Sequence, residues 1–184
     1  NDIFTDIFPK IEGDPVIQIG TTCQYYGKND CFVKHIITLD TCDNWDINDD
    51  TLIIESYKTE REVLLAWKSF ICRLDPDIVL GYNIFAFDFA YLYNRAKELN
   101  ILEEFSMIGR KVHEQCMLEE KQLSSSALGF NVLRFIKMTG VVLIDLYKVI
   151  QSDHKLKSYK LDFVAQHFTG NKKDDVTPKQ IFEY

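Results

Sequence analysis

The stretch that decides the fold reads Asp77-Ile78-Val79-Leu80-Gly81-Tyr82, followed at once by Asn83-Ile84-Phe85-Ala86-Phe87-Asp88. The first part is a short apolar run between turn signals, which is typical of a buried, parallel strand. In open α/β sheets, ligands bind just beyond the carboxyl ends of such strands. Asp88 is therefore predicted to lie at the mouth of a cleft, where it is a candidate catalytic residue and metal ligand.

The first third of the chain is predicted to be β structure. Apolar and β-branched residues dominate positions 16–23, 31–39 and 51–57, with a polar turn at 27–30 and an acidic loop at 40–50. We expect these three strands to form an antiparallel meander.

Two helices are predicted to flank the apolar strand. Thr59 and Glu62 have the spacing of a capping box, and apolar residues including Trp67 follow at helical intervals, so one face of this helix should cover the sheet. A second helix is expected at 87–99, with Asp88 in its first turn. Because the helix macrodipole favours a carboxylate there, Asp88 is alternatively a helix-capping acid.

The second half of the chain has weaker patterns. Residues 100–126 are predicted to be a partly helical loop region, 130–138 and 140–145 to be strands joined at Thr139-Gly140, and 161–168 to be a helix. Asp145 ends the last strand, where an acid either faces the cleft or has a structural role. The stretch from Lys155 to Lys160 combines cations with Tyr159, which suits either phosphate contact or packing.

Composition is that of one folded domain. The 184 residues are 46% hydrophobic, and the formal net charge is −7. That charge argues against a protein that coats duplex DNA, but not against a nuclease domain that captures a few nucleotides. Five cysteines without metal-ligand spacing indicate reduced thiols in an intracellular protein, and no apolar run is long enough to span a membrane.

Four blocks resemble, in the same order, the exonuclease domain of family B DNA polymerases of the delta-like type, cellular or from large DNA viruses. They are Phe8-Pro9 with Asp14-Pro15-Val16-Ile17-Gln18-Ile19-Gly20; Asp75-Pro76-Asp77-Ile78-Val79-Leu80-Gly81-Tyr82-Asn83 with Phe87-Asp88; Ser124-Ser125-Ser126-Ala127-Leu128-Gly129 with Gly140 and Asp145-Leu146; and Lys157-Ser158-Tyr159-Lys160-Leu161 with Val164, Phe168 and Gly170. The second block is similar to the second exonuclease motif. The resemblance implies an α/β, RNase H-like (DEDD exonuclease) fold, a mixed sheet flanked by helices, and 3′→5′ proofreading activity.

The resemblance also implies four acids that hold two Mg²⁺ or Mn²⁺ ions, of which this sequence matches only Asp88. A first motif of the form Asp-x-Glu is expected at or before Asn1; Asp2-Ile3-Phe4 and Asp6-Ile7-Phe8 echo it, but each has Phe in place of Glu. A third motif, Tyr followed four residues later by Asp, is expected after Tyr159 and is not found.

We therefore expect residues 1–184 to be one exonuclease-like domain truncated at both ends, lacking the first-motif edge strand and the third-motif helix. The isolated chain should be inactive or nearly so, because one carboxylate does not hold two metals. A missing edge strand should leave an apolar groove open.

Asn83, Phe87 and Tyr82 are the predicted substrate-binding residues. An amide beside a metal site orients a water or hydrogen-bonds a terminal nucleotide, and an aromatic ring stacks on an unpaired base. The alternatives are a turn-forming Asn83 and a core Phe87. The four histidines form no ligand pattern.

Three hypotheses remain open. The parent protein is a DNA polymerase with a proofreading domain; or the domain is a proofreading-dead structural or DNA-binding module of a polymerase; or it is an unrelated interaction domain. Under the first hypothesis, the domain binds a single-stranded 3′ DNA end, and its other partners are the rest of the polymerase polypeptide and possible replication accessory subunits. The protein then acts in the nucleus or a viral replication compartment, and no membrane is a partner.

Overall fold

The computed structural model describes residues 9–42, 48–125 and 129–171, and the chain there is a mixture of strands and helices. The Asp-Ile-Phe stretches at 2–4 and 6–8 lie outside the described residues. The elements in chain order are β1 (Gln18–Gln24), β2 (Cys31–Leu39), β3 (Leu52–Tyr57), α1 (Glu60–Leu74), β4 (Ile78–Gly81), α2 (Asp88–Glu98), α3 (Leu102–Phe105), β5 (Leu118–Ser125), β6 (Gly129–Ile136), β7 (Val142–Asp145), α4 (Leu146–Asp153) and α5 (Leu161–Thr169). The predicted α/β class is confirmed.

The β strands form three small sheets among the described residues. β1 pairs antiparallel with β2, and β2 pairs parallel with β3. β4 pairs parallel with β7, whereas β5 and β6 form an antiparallel hairpin. The predicted single mixed sheet is thus divided here into separate sheets of three, two and two strands.

The prediction of an antiparallel meander in the first third is wrong for β3. Antiparallel neighbours need only a tight turn, whereas parallel neighbours need a crossover connection. The register pairs Lys34 with Leu52 and Leu39 with Tyr57. The chain between these two strands, predicted as an acidic loop, therefore connects parallel neighbours.

Helix α1 forms where the sequence predicted it. Thr59 is the N-cap, and the reciprocal bonds of a capping box join Thr59 and Glu62. Asp75 ends the helix in a left-handed conformation with φ 48°. The apolar face carries Val63 and Leu64, both fully buried, and burial of each such side chain stabilises the fold by about 1.5–3 kcal/mol. Trp67 belongs to this core, as predicted.

The core joins α1 and α2 to the three-stranded sheet and to the β5–β6 hairpin. Its fully buried members include Ile37 of β2, Phe105 of α3 and Ile136 of β6. Strand β5 was predicted as part of a loop region, because its sequence, Leu118 to Ser125, is mainly polar. Pairing with β6 rather than an apolar face of its own makes this segment a strand.

The predicted strands at 130–138 and 140–145 correspond to β6 and β7, which belong to different sheets. Helix α5 matches the predicted helix and ends at Gly170 in a left-handed conformation with φ 75°. No helix in the described part of the chain is long and apolar enough to cross a bilayer.

Candidate active site

Asp88 lies where two parallel strands end. Strand β4 finishes at Gly81 and is aligned with β7, so that Gly81 pairs with Asp145, the last residue of β7. Asp88 then opens helix α2 after a turn at residues 82–87. This is the carboxyl edge at which ligands bind in parallel sheets, and Asp88 is solvent-accessible there.

The electrostatics of Asp88 differ from those of a helix-capping acid. Its pKa is raised above the ordinary value, mainly because the cleft walls displace water from the carboxylate. The negative charge of Asp145 adds to this increase, and the backbone amide of Asp88 itself opposes it. The role of Asp88 as a metal ligand stays a prediction.

The turn before Asp88 is tightly built. Asn83 has a left-handed backbone with φ 64°, which Asn tolerates better than most residues, and Asn83 is exposed. Its carbonyl accepts a hydrogen bond from the Ala86 amide at 3.1 Å. Asn83 therefore has the turn-forming role considered from the sequence, and its contact with substrate stays a prediction.

The two predicted aromatic site residues are more enclosed. The Phe87 ring lies 4.8 Å from the Tyr91 ring and is half-buried. The Tyr82 hydroxyl donates to the carbonyl of Tyr159, and its ring meets Tyr147 edge-on at 5.6 Å. Burial is the main cause of the raised pKa of Tyr82. Each ring therefore has a packing role, and only Phe87 also lines the groove beside Asp88. Contact of either ring with substrate stays a prediction.

Asp145, the neighbouring acid, is hydrogen-bonded by backbone amides. Its side chain is buried, and both carboxylate oxygens accept amide hydrogen bonds. The sequence left open whether Asp145 faces the cleft or has a structural role, and these contacts fit the structural role.

A groove of about 1290 Å³ adjoins Asp88. It is lined by residues of β1 and β4, which both lie at an edge of their sheets, and by apolar residues of α1 such as Trp67 and Ile71. Asp88 and Phe87 stand on its wall.

Comparison with known proteins decides the family. Residues 2–164 match the family described as DNA polymerase family B, exonuclease domain. A DNA polymerase of Pyramimonas orientalis virus is 45% identical over 170 residues, and the DNA polymerase delta catalytic subunit of Oryza sativa subsp. japonica is 40% identical over 169 residues. The chain belongs to the family B polymerase exonuclease domains.

The similarity covers nearly all of this exonuclease domain but a small part of its relatives. In both cases 92% of this chain is aligned, with 14% of the viral polymerase and 15% of the plant subunit. The DNA polymerase delta catalytic subunit of Candida albicans, 37% identical over 174 residues, is likewise covered over 16% of its length. The resemblance read from the four sequence blocks is thus confirmed.

Exonuclease domains of this family generally use divalent metals. No group of three or more His, Cys, Asp or Glu side chains with metal-binding geometry occurs within residues 9–42, 48–125 and 129–171. Asp75 and Asp77, which also border the groove, are paired with Arg110 at 2.6 and 2.7 Å. Asp88 alone does not fit a pair of Mg²⁺ ions, which need clustered oxygen ligands.

Sequence reasoning missed a buried ion pair that holds the segment before β1. Glu60 and Arg95, both almost fully buried, form a two-pronged salt bridge. Glu60 also accepts from the Val16 amide at 2.8 Å, and Arg95 donates to the Ile11 carbonyl. We call this group the Glu60–Arg95 clamp. Glu60 resembled an ordinary first-turn acid, and no local pattern links it to a residue 35 positions away.

The clamp is connected to the candidate site through Tyr91. The Tyr91 hydroxyl lies 2.6 Å from the Asp14 carbonyl and 3.1 Å from that of Lys10, so it is fixed to the same segment as the clamp. Its ring packs on Phe87, the residue before Asp88. The segment at 10–16 is therefore held beside the start of α2.

Proposed function

We propose that this domain is the 3′→5′ proofreading exonuclease of a DNA polymerase and removes nucleotides from single-stranded 3′ ends. The observation that carries the proposal is the contrast between two neighbouring acids at one strand edge. Asp145 is saturated by backbone amides, whereas Asp88 remains accessible at the groove with a raised pKa. The family match supports reading Asp88 as the metal-binding acid.

The side chains around Asp88 suggest their roles in that reaction. Asp88 would be one ligand of Mg²⁺ or Mn²⁺, which supplies charge neutralisation at the scissile phosphate when bound. Asn83 would hydrogen-bond the terminal nucleotide, because its amide is exposed on the same turn. Phe87 and Tyr82 would form the apolar wall against which the terminal base lies, with packing as their second duty.

The remaining metal ligands must be acids other than those assembled in the described residues. The groove along β1 and β4 suits a further strand, because both strands lie at sheet edges and the lining is largely apolar. Such a strand would join the separate sheets into the mixed RNase H-like sheet predicted from sequence and would bring its side chains next to Asp88. A further helix carrying the third motif would complete the site.

The wider context follows from the same proposal. The relatives are polymerases several times longer than this chain, so the rest of a polymerase polypeptide is the proposed covalent partner, with replication accessory subunits as possible further partners. The place of action would be the nucleus or a viral replication compartment. With a net charge of −7, the domain by itself should bind DNA weakly.

The test is digestion of a single-stranded DNA oligonucleotide, labelled at its 5′ end, in the presence of Mg²⁺. The polymerase that contains this domain should shorten the oligonucleotide from its 3′ end. Asp88→Ala should lower the rate by about 100-fold or more, because a lost ligand removes several kcal/mol of transition-state stabilisation. Residues 1–184 alone should give no digestion.

Asp162→Ala is the matched control, since Asp162 is also an exposed acid in the first turn of a helix. It should leave the rate unchanged. Digestion by the polymerase that is equally fast in Asp88→Ala would overturn the assignment of Asp88. No digestion by the unmodified polymerase would favour the alternative, a structural or DNA-binding module without proofreading.

A further inference from the structure

One buried carboxylate holds three separate parts of the chain together. Asp145 is 2% exposed. Its Oδ1 accepts from the Asn83 amide at 2.8 Å and from the Tyr147 amide at 3.0 Å, and its Oδ2 accepts from the Phe85 amide at 3.0 Å. The bond to Tyr147 caps helix α4, and the other two bonds reach the turn before Asp88.

The turn depends on these bonds for its shape. The backbone of Asn83 is left-handed, a conformation that Asn adopts more readily than most residues other than Gly. The amides of Asn83 and Phe85 both donate to Asp145 in part-buried hydrogen bonds, and each donor would lose this acceptor if the carboxylate were removed. The Phe85 carbonyl accepts from the Arg134 amide of β6 at 2.8 Å, so the turn is held from two sides.

The side chains of the turn reinforce this placement. Phe85 packs between Phe89 and Phe135, with ring centroids 6.2 and 5.3 Å away. Ile84 folds back onto the end of β4, because a Cβ added at Gly81 would stand 2.5 Å from Ile84 Cγ2. The turn thus has packing that locates Phe85 and Ile84, but Asn83 itself is exposed and is held by Asp145 through its backbone.

We propose that Asp145 is a positioning residue, which sets the turn at 83–87 and thereby aims Asn83 and Asp88 into the cleft. This inference rests on the proposed exonuclease function. Asp145 touches neither of those two side chains and acts through the backbone that carries them. The role requires a carboxylate, because only two acceptor oxygens on one short side chain reach all three amides.

Replacement by serine separates the two duties of Asp145. A serine hydroxyl is a good N-cap and can still accept from the Tyr147 amide, but it is too short to reach Asn83 and Phe85. Asp145→Asn keeps one acceptor oxygen and turns an NH₂ group toward the other amides, so it should retain part of the function. Ile37→Ala in β2, fully buried and in another sheet, serves as a control chosen to lower the melting temperature by a similar amount.

The experiment uses the polymerase that contains this domain and has two readouts. Amide hydrogen exchange at residues 83–87 should become at least about 10-fold faster in Asp145→Ser, while exchange in β2 changes no more than in Ile37→Ala. Digestion of single-stranded DNA should show a fall in kcat of about 100-fold, larger than any rise in KM, because small misplacements of reacting groups have effects of that size. Asp145→Asn should lie between the serine variant and the unmodified protein.

The outcomes distinguish this inference from the function on which it rests. Equal exchange and equal kcat in Asp145→Ser and Ile37→Ala, at matched melting temperature, would overturn the positioning role while leaving the nuclease in place. If the unmodified polymerase digests nothing, the proposed function fails. Faster exchange at 83–87 would then still support the backbone part of the inference, and unchanged exchange would overturn it.

Discussion

Two regions of the domain each bury a carboxylate, and they satisfy it in different ways. In the Glu60–Arg95 clamp, a guanidinium neutralises the acid and one backbone amide completes the shell. At the end of β7, three backbone amides hold Asp145, and no cationic side chain within residues 9–42, 48–125 and 129–171 forms an ion pair with it. The clamp therefore depends on a pair of side chains, and the β7 region depends on the shape of a turn.

The comparison explains where an accessible acid can be placed. A cation beside Asp88 would pair with it and lower its readiness to bind a metal. Burial is the main cause of the raised pKa of Asp88, and the negative charge of Asp145, which is held by neutral amides, adds to the increase. The carboxylate that is paired with a cation thus lies in a structural region, and the carboxylate that is held by backbone amides lies at the candidate site.

The largest expected effect comes from breaking the clamp. Glu60→Gln should lower the free energy of unfolding by about 3–5 kcal/mol, because Arg95 would remain buried without a counter-charge. Urea unfolding measures the change. The matched control is Glu104→Gln, which removes a partner of Arg61 in an exposed pair at 3.7 Å and should change stability by less than about 1 kcal/mol.

One outcome would contradict this account of the clamp. If Glu60→Gln lowered the free energy of unfolding no more than Glu104→Gln, the buried pair would contribute no more to stability than a surface pair. Faster proteolysis near residues 10–16 should accompany the loss of stability, since Glu60 and Arg95 hold that segment through Val16 and Ile11.

The second prediction concerns His35, a buried titratable side chain with Glu55 as a charged neighbour. It is 1% exposed, stacks on Phe70 at 4.0 Å, and lies 3.7 Å from Glu55 Oε1, which is too far for a hydrogen bond. Burial lowers the pKa of His35, and the nearby Glu55 opposes part of that decrease.

The sign of the pH effect follows from that direction. The unfolded chain takes up the proton at a higher pH than the folded domain, so stability should fall as the pH drops below the ordinary value of 6.5. One proton accounts for at most about 1.4 kcal/mol per pH unit. Urea unfolding at pH 7.5 and pH 5.5 should show this loss in the unmodified domain and a smaller loss in His35→Leu. An equal loss in both would assign the pH dependence to other groups.

Local patterns predicted the elements near the site better than the contacts that assemble it. The apolar run at 77–82, the capping box at Thr59 and the helix that begins near Asp88 are short-range features, and the structure has all three elements. The strand is parallel as predicted, but the prediction that it is buried is wrong, because Ile78 and Leu80 are exposed. The three bonds of Asp145 include partners about 60 residues away, for which a single sequence carries no spacing signal.

The same reasoning explains the errors in the sheet. Strand direction in the first third depends on how the segment between Leu39 and Leu52 crosses the sheet, which composition does not determine. Strand β5 is polar because pairing with β6, and not burial, makes it a strand. What local sequence cannot encode here is long-range pairing, whether of strands or of charges.

The smallest expected effect is the change in the stability of the domain when Asp88 is replaced. Since the folded state raises the pKa of Asp88, its ionised form is disfavoured by folding, and Asp88→Asn should stabilise the domain at pH 7. Solvent screening at an accessible side chain limits the gain to about 1 kcal/mol or less. The gain should shrink as the pH falls and disappear below the ordinary value of 3.8, where the unmodified carboxyl is protonated in both the folded and the unfolded state.

Asp162→Asn provides the reference for this measurement, because it removes an exposed helix N-terminal acid outside the turn. Removing a carboxylate favoured by the helix dipole should leave stability unchanged or slightly lower. A loss of stability in Asp88→Asn equal to that in Asp162→Asn would make Asp88 a helix-stabilising acid, and the contrast with Asp145 would no longer mark a functional site. A gain in Asp88→Asn alone, with the stated pH dependence, would show that the fold keeps this carboxylate at a cost, as expected of an acid retained for binding a cation.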